Sequence, residues 1–244
     1  MAKGRRRKRR TTKPAAGALP RLTARGALRG LTLAGLGLVG AFLLLLILGI
    51  FFNPRLTPYL VAEGWRQGGV ERVWVPMEKI APVMARSVVA SEDANFCEHW
   101  GFDMKAIRAA LDEGAGRGAS TISQQVTKNV FLWQGRSWPR KALEALMTPM
   151  VELFWSKRRI LEVYLNVAET GPGLFGVEAA AQHYFGVSAA RLSPPQAALI
   201  AAALPDPRGR NPARPSGFLR ARARAILDGA ATIRADGRAA CFED

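Results

Sequence analysis

Chemistry at a glycosidic bond commonly uses two carboxyl groups with separated roles, and this chain sets carboxylates in two polar constellations. The stretch SEDANFCEHWGFD, residues 91–103, is its densest polar and aromatic cluster. Glu92 follows the apolar stripe Ile80, Val83, Met84 and Val88. A carboxylate placed where a helix leaves the core is partly desolvated, and desolvation raises its pKa toward the working range of a general base. The other use of Glu92, Asp93 and Asp103 is as helix caps and surface charges. Glu144 is the second carboxylate. Arg140 lies four residues and Lys141 three residues before it, so two cations and a carboxylate share one side of a helix, with Arg136 a turn earlier. An ordinary intrahelical ion pair has the same spacing.

Between these constellations runs STISQQVTKN, residues 120–129. Ile122, Val126 and Val130 fall on one helical face, and Gln124 and Lys128 on another. Free backbone N–H groups at a helix start near Ser120, followed by a lysine, make an anion site. The loop is not the phosphate-cradling GxxxxGK[ST]. Lys157, Arg158 and Arg159, ahead of Ile160 and Leu161, read by themselves as a solvated helix start.

The elements that must position these groups read as helices. The stripe from Ile80 ends at Ser91-Glu92. Asp103 is expected to cap Met104–Asp112, and Ser120 the helix carrying Ile122. Ser137 with Pro139 opens 140–155, and Ser156 caps 157–166. Gly171-Pro172-Gly173 is a turn, and 175–185 is Ala-rich and helical. Ser193-Pro194-Pro195-Gln196 is a capping box opening 196–204. A basic helix spans 216–234. No β alternation of any length occurs, so the expected class is mainly α.

The chain has 244 residues and a net charge of +16, a value that suggests nucleic acid until its distribution is read. Eleven of the 35 Lys and Arg lie in residues 1–30, which hold no Asp or Glu, so the rest carries only +5. Residues 30–52 are uncharged. As a helix they span about 34 Å, enough for a hydrocarbon core of about 30 Å. The basic tail, 1–29, then stays in the cytoplasm and the rest is exported. The apolar run is longer than a signal peptide's and ends Phe51-Phe52-Asn53-Pro54, without a small-residue cleavage site. Residues 53–74 are expected to be juxtamembrane, with Tyr59, Trp65 and Trp74 at the headgroup level, and 75–244 to be the globular domain. Two cysteines and two histidines exclude a disulfide scaffold and most zinc sites. Export to an oxidising compartment permits a Cys97–Cys241 bridge, but the sequence does not bring the two together.

Five motifs in order resemble those of the peptidoglycan glycosyltransferases, glycosyltransferase family 51. They are Glu92-Asp93-x-x-Phe96-x-x-His99-x-Gly101-x-Asp103; Gly118-Ala119-Ser120-Thr121-Ile122-Ser123-Gln124-Gln125 with Lys128-Asn129; Arg140-Lys141-x-x-Glu144; Lys157-x-x-Ile160-Leu161-Glu162-x-Tyr164-Leu165-Asn166; and Gly176-Val177-x-x-Ala180 with Tyr184-Phe185-Gly186. Ala119 stands where a second glycine is usual, and Ser123 where threonine is. The serine-nucleophile string S-x-x-K and the K-T-G strand of the family's penicillin-binding domain occur nowhere in these 244 residues, which points to the monofunctional members anchored in Gram-negative inner membranes.

The resemblance implies a partly lysozyme-like helical lobe with a smaller membrane-proximal lobe. It implies polymerisation of lipid II, with attack of a 4-hydroxyl on C1 of the donor, inversion, and departure of undecaprenyl pyrophosphate. Glu92 is then the base and Glu144 the second essential glutamate, acting on the donor side. Lys128 and Arg136 bind the pyrophosphate with Arg140 and Lys141 in support, and Ser120 and Gln124 are substrate contacts. No cofactor is required, though a divalent cation (Mg or Mn) at the pyrophosphate is compatible. The implied partners are the growing glycan strand, the inner membrane and other cell-wall synthesis or division proteins, not nucleic acid. A lytic glycan hydrolase using the same two glutamates is the alternative, and a non-enzymatic tethered adaptor the third reading.

Overall fold

The computed structural model describes residues 24–112, 118, 120–135 and 137–243. The chain divides into two compact units at Leu44/Leu45. In the first, the described residues are the start of helix α1 (Ala24–Phe51). Its Arg25–Phe51 stretch is long and apolar enough to cross a membrane. Leu28, Leu33 and Leu38 are exposed, as expected of a helix whose apolar surface no protein covers.

The second unit is mainly α. α3 (Pro82–Glu92), α9 (Pro194–Ala203) and α10 (Gly217–Ala235) pack together, as do α5 (Ile122–Phe131), α6 (Trp138–Phe154) and α7 (Lys157–Val167). The expected stripes are the buried faces: Met84 and Val88 on α3, Ile122 and Val126 on α5, Ile160 and Leu161 on α7. α9 buries Ala197, Ala198, Ala201 and Ala202 completely. Such small side chains let helix backbones approach closely where three helices meet. α2 (Pro58–Gln67), α4 (Met104–Asp112) and α8 (Val177–Phe185) complete the helices longer than one turn among the described residues.

The helix starts follow local chemistry with one correction. Ser120 does not cap α5. Thr121 does, accepting from Gln124 N at 3.2 Å while Gln124 Oε1 accepts from Thr121 N at 3.1 Å. The pattern T-x-x-Q closes this reciprocal box one residue later than expected, because Ser120-x-x-Ser123 offers no reaching amide. Ser156 caps as expected, Ser193 closes its box with Gln196, and Ser216 caps the last helix, α10, instead of lying inside it.

A three-stranded sheet was not expected. β1 (Glu71–Arg72) pairs parallel with β3 (Leu174–Phe175), and β2 (Glu169–Gly171) pairs antiparallel on the other side. Strands of two or three residues are too short to alternate visibly. Gly173, at φ +69, makes the turn. Gly176, at φ +82, starts α8 where a Cβ would lie 3.0 Å from the Asn166 carbonyl oxygen, so only glycine fits both the backbone and the space.

The sheet also draws in residues expected to be juxtamembrane. Tyr59 is buried against Phe175, ring centroids 5.2 Å apart, and its hydroxyl donates to Glu169 at 2.5 Å. It is therefore a core residue, not a headgroup anchor, whereas Trp65 is exposed. The last turns of α1 belong to this unit as well. Trp155 Nε1 donates to Leu46 O at 2.7 Å, and Arg159 Nε donates to Gly49 O at 3.0 Å. Cutting after residue 44 should leave these contacts whole. Cutting after residue 53 orphans the buried indole N–H, which costs about 1–3 kcal/mol, so the longer deletion should melt several degrees lower. Equal melting temperatures would detach residues 45–53 from the folded unit.

Cys97 and Cys241, 144 residues apart, are joined by a disulfide with their Cα atoms 5.6 Å apart.

Candidate active site

Glu92 is the last residue of α3, where the helix opens into the turns of residues 93–101. Its Oε2 accepts from Gln125 Nε2 at 2.9 Å, and Ser91 Oγ lies 3.4 Å from Oε1. Burial raises its pKa above the ordinary glutamate value, against the hydrogen bond from Gln125, the charge of Arg222 and Ser91. Asp93 adds to the rise. Crowding by protein and access to solvent coexist because Glu92 opens onto a cavity of about 230 Å³, lined also by Asn95, Asp103, Ser120 and Thr121. A carboxylate whose charged form is penalised, at the wall of an open cavity, has the chemistry a general base needs.

The neighbouring acids are caps and braces. Asp93 is buried; its Oδ2 accepts from Ile122 N at 3.0 Å, and its Oδ1 is 2.8 Å from His99 Nε2. It ties the turn to the start of α5. Asp103 Oδ1 accepts from Lys105 N and Ala106 N, both at 2.9 Å, and Oδ2 from Asn95. Burial alone would raise the Asp103 pKa, but the Ala106, Asn95 and Lys105 hydrogen bonds and the nearby His99 bring it below the usual aspartate range. The capping alternative thus describes Asp93 and Asp103. Glu92 takes no backbone N–H among the described residues.

Lys128 lies on α5, one turn past Gln124. It forms no ion pair with a described residue, yet it sits in the field of both Glu144 and Glu92. Burial lowers its pKa; the two glutamates oppose that shift, while Arg140 and Lys141 reinforce it. Glu144 is buried on α6. Arg140 Nη1 donates to its Oε2 at 2.6 Å, and Lys141 Nζ to its Oε1. Arg140 Nε donates to Gly135 O at 2.8 Å. Lys141 also donates to Ser120 Oγ at 3.2 Å, which joins the 120–129 stretch to the Arg140–Glu144 side. The intrahelical pairs exist, and they stand in the same charge cluster as Lys128. Three cations against one buried glutamate leave a positive excess that suits an anion.

Gln124 is buried, with its Oε1 committed to the capping box that shapes the start of α5. Arg136 lies outside the described residues. The divalent ion has no protein cage: no three His, Cys, Asp or Glu come together among the described residues, and both Glu144 oxygens already accept from cations.

Gln125 and Arg222 also surround Glu92, though spacing in the sequence marks neither as a site residue. Gln125 bridges Glu92 and Tyr164, whose hydroxyl lies 3.4 Å from Gln125 Oε1. Arg222 reaches from α10, its Nη2 3.3 Å from Ser91 Oγ. The helical phase of α5 could have directed Gln125 toward α3 and α7. Nothing local marks Arg222, 130 residues from Glu92.

The chain is similar to known proteins over most of its length. The sequence model of the family described as Transglycosylase matches residues 61–231. A biosynthetic peptidoglycan transglycosylase of Jannaschia sp. (strain CCS1) is 61% identical over 217 residues, covering 88% of this chain and 91% of that one. Proteins of the same name from Caulobacter vibrioides and Stutzerimonas stutzeri are 46% and 48% identical, over 88% and 77% of this chain and 96% and 82% of theirs. The chain belongs to the transglycosylase family. It is accordingly an enzyme of the glycosyltransferase class.

Proposed function

We propose that the chain polymerises lipid II into peptidoglycan strands. The observation that carries this reading is Lys128, set in the field of both Glu92 and Glu144 and joined by Arg140 and Lys141. The acceptor's 4-hydroxyl attacks C1 of the donor sugar while Glu92 takes its proton, a contribution of about 10²–10⁴ in rate. The C1–O bond to the pyrophosphate breaks on the opposite face, so α becomes β. Negative charge grows on the leaving oxygens, and preorganised cations lower the barrier where that charge develops. Lys128 supplies an ammonium not paired within the described site. Glu144 holds Arg140 and Lys141 in position, and Arg136 is assigned to the same group from its place in the sequence.

Lipid-borne substrates fit the remaining surface. α6 exposes Trp138 (89%), Leu146 (73%) and Leu153 (61%), an apolar face suited to a membrane interface. With the basic tail cytoplasmic, α1 spans the inner membrane and the second unit is periplasmic. Residues 1–29 are the tail and 30–52 the span in this reading.

A hydrolase with the same two glutamates would meet a neutral glycan, for which the cation cluster has no use. An adaptor would need no glutamate with a raised pKa. The deciding measurement incubates the full chain in detergent micelles with labelled lipid II and, separately, with lipid-free glycan strands. Polymer should form from lipid II alone. Equal processing of lipid-free strands would sink the assignment.

A further inference from the structure

Beyond α10 the chain turns back along the segment that follows Glu92. Gly237 takes φ +79, and residues 238–243 run against residues 94–97. Cys241 is bonded to Cys97. Phe242 is fully buried, its ring centroid 6.4 Å from that of buried Phe96. Arg238 Nη1 donates to Ala94 O at 2.9 Å. The body of the domain holds the tail from the other side: Arg158 Nη1 donates to Phe242 O at 2.9 Å, and Arg86 Nη1 to Glu243 at 2.6 Å. The family match ends at residue 231, so this segment lies outside the region the family model covers.

The segment it grips has no helix or strand of its own between α3 and α4. Phe96 also carries Lys157 Nζ 4.4 Å over its ring, and Lys157 donates to His99 O at 2.7 Å. His99 in turn meets Asp93, which accepts from the first N–H of α5. Tail, base loop and the helix carrying Gln125 and Lys128 are thus in continuous contact.

We propose that residues 237–243 are a positioning element for the Glu92 loop, and that their grip depends on the Cys97–Cys241 bond, which makes turnover responsive to oxidation of these cysteines. Without the bond, the segment keeps the exposed Arg238–Ala94 hydrogen bond, the contacts of Arg158 and Arg86 and the burial of Phe242, contacts that open locally more readily than a cross-linked loop. A small displacement of a base is costly, about 10²-fold for 1 Å. Both cysteines are half-buried, so neither is sealed in the core. In oxidation the two thiols lose two protons and two electrons to the disulfide of an exported thiol–disulfide oxidoreductase, which becomes a dithiol. A dithiol reductant reverses this through a mixed disulfide.

The activity readout rests on the polymerisation reading, and the structural readout does not. The full chain in micelles is compared oxidised, reduced with dithiothreitol and reoxidised, with bond state read from the mass added by thiol alkylation. Reduction should lower kcat about 10-fold with little change in KM, and reoxidation should restore it. Amides of residues 93–99 should exchange faster while those of α7 stay protected. The double variant Cys97→Ser, Cys241→Ser should match the reduced protein and ignore reductant. Phe242→Ala keeps the bond and should lower kcat several-fold at unchanged KM while the amides of α7 stay protected, which separates displacement of the loop from loss of folded enzyme. Unchanged kcat and unchanged exchange on reduction overturn the proposal, as does a double variant that still responds to reductant. If the oxidised chain makes no polymer, the functional reading fails, and exchange at 93–99 alone decides: faster exchange upholds the brace and unchanged exchange removes it.

Discussion

Glu92→Gln lowers turnover by about 10²–10⁴-fold and raises the melting temperature at neutral pH. Both effects have one cause. Burial raises the Glu92 pKa above 4.5 in the folded chain. The protonated form is therefore the comfortable one, and its contribution to stability is fully present below the unfolded pKa. That contribution is lost as pH rises through the raised folded value. The amide is neutral at every pH, so the variant escapes the loss while keeping an oxygen for Gln125 to donate to. The same shift sets the pH profile: kcat/KM of the wild type should climb as Glu92 deprotonates, along a limb displaced upward from an ordinary glutamate's. Turnover and thermal unfolding measured at pH 5 and pH 8 check both halves. Near-normal polymerisation would remove Glu92 from the chemistry. A melting temperature that stays level with the wild type at both pH values would show its carboxylate to be well solvated.

Lys128→Met depresses kcat/KM by about 10²–10³-fold, the cost of removing one donor aimed at developing charge, with the loss partly in kcat. Methionine keeps the apolar stem, and no described residue is left with a broken ion pair. The fold should survive, with stability unchanged or slightly higher, since burial already disfavours the ammonium. Arg140→Ala is the contrast. It strips one of two direct partners from buried Glu144 and leaves Lys141 as the remaining ion pair, so activity and stability should fall together, the stability by less than the roughly 3–5 kcal/mol of a wholly unpaired buried charge. A Lys128→Met enzyme that polymerises lipid II normally would empty the anion site of its main member. Wild-type affinity for lipid II with a pure kcat loss would confine Lys128 to the transition state.

The helices were legible because their apolar positions recur at helical spacing and their starts carry Ser, Thr or Asp. Glu92 and the Arg140–Glu144 side were legible from the same periodicity. What escaped depends on tertiary contact. Ser120 and Thr121 are both competent caps, and only the reach of Gln124 decides between them. Tyr59 near an apolar span resembles an interfacial aromatic, but Phe175 and Glu169, over a hundred residues later, make it a core residue. Gln125 faces Glu92 only once α3 and α5 have packed, and Arg222 arrives from α10. The two cysteines carried no local sign of pairing, because a bridge across 144 residues is set by the fold.

The alanine core of α9 has a genetic consequence. Ala197, Ala198, Ala201 and Ala202 have no exposed surface, and α9 packs against both α3, which ends at the base, and α10. Every alanine codon becomes a valine codon by one transition. Each such change adds two methyl groups to a contact with no room, at a cost of about 1–3 kcal/mol. In a domain of this size that amounts to several degrees of melting temperature. The chemistry would be untouched at low temperature and lost on warming, so a random mutant library screened for heat-sensitive cell-wall synthesis should collect alleles along this one helix.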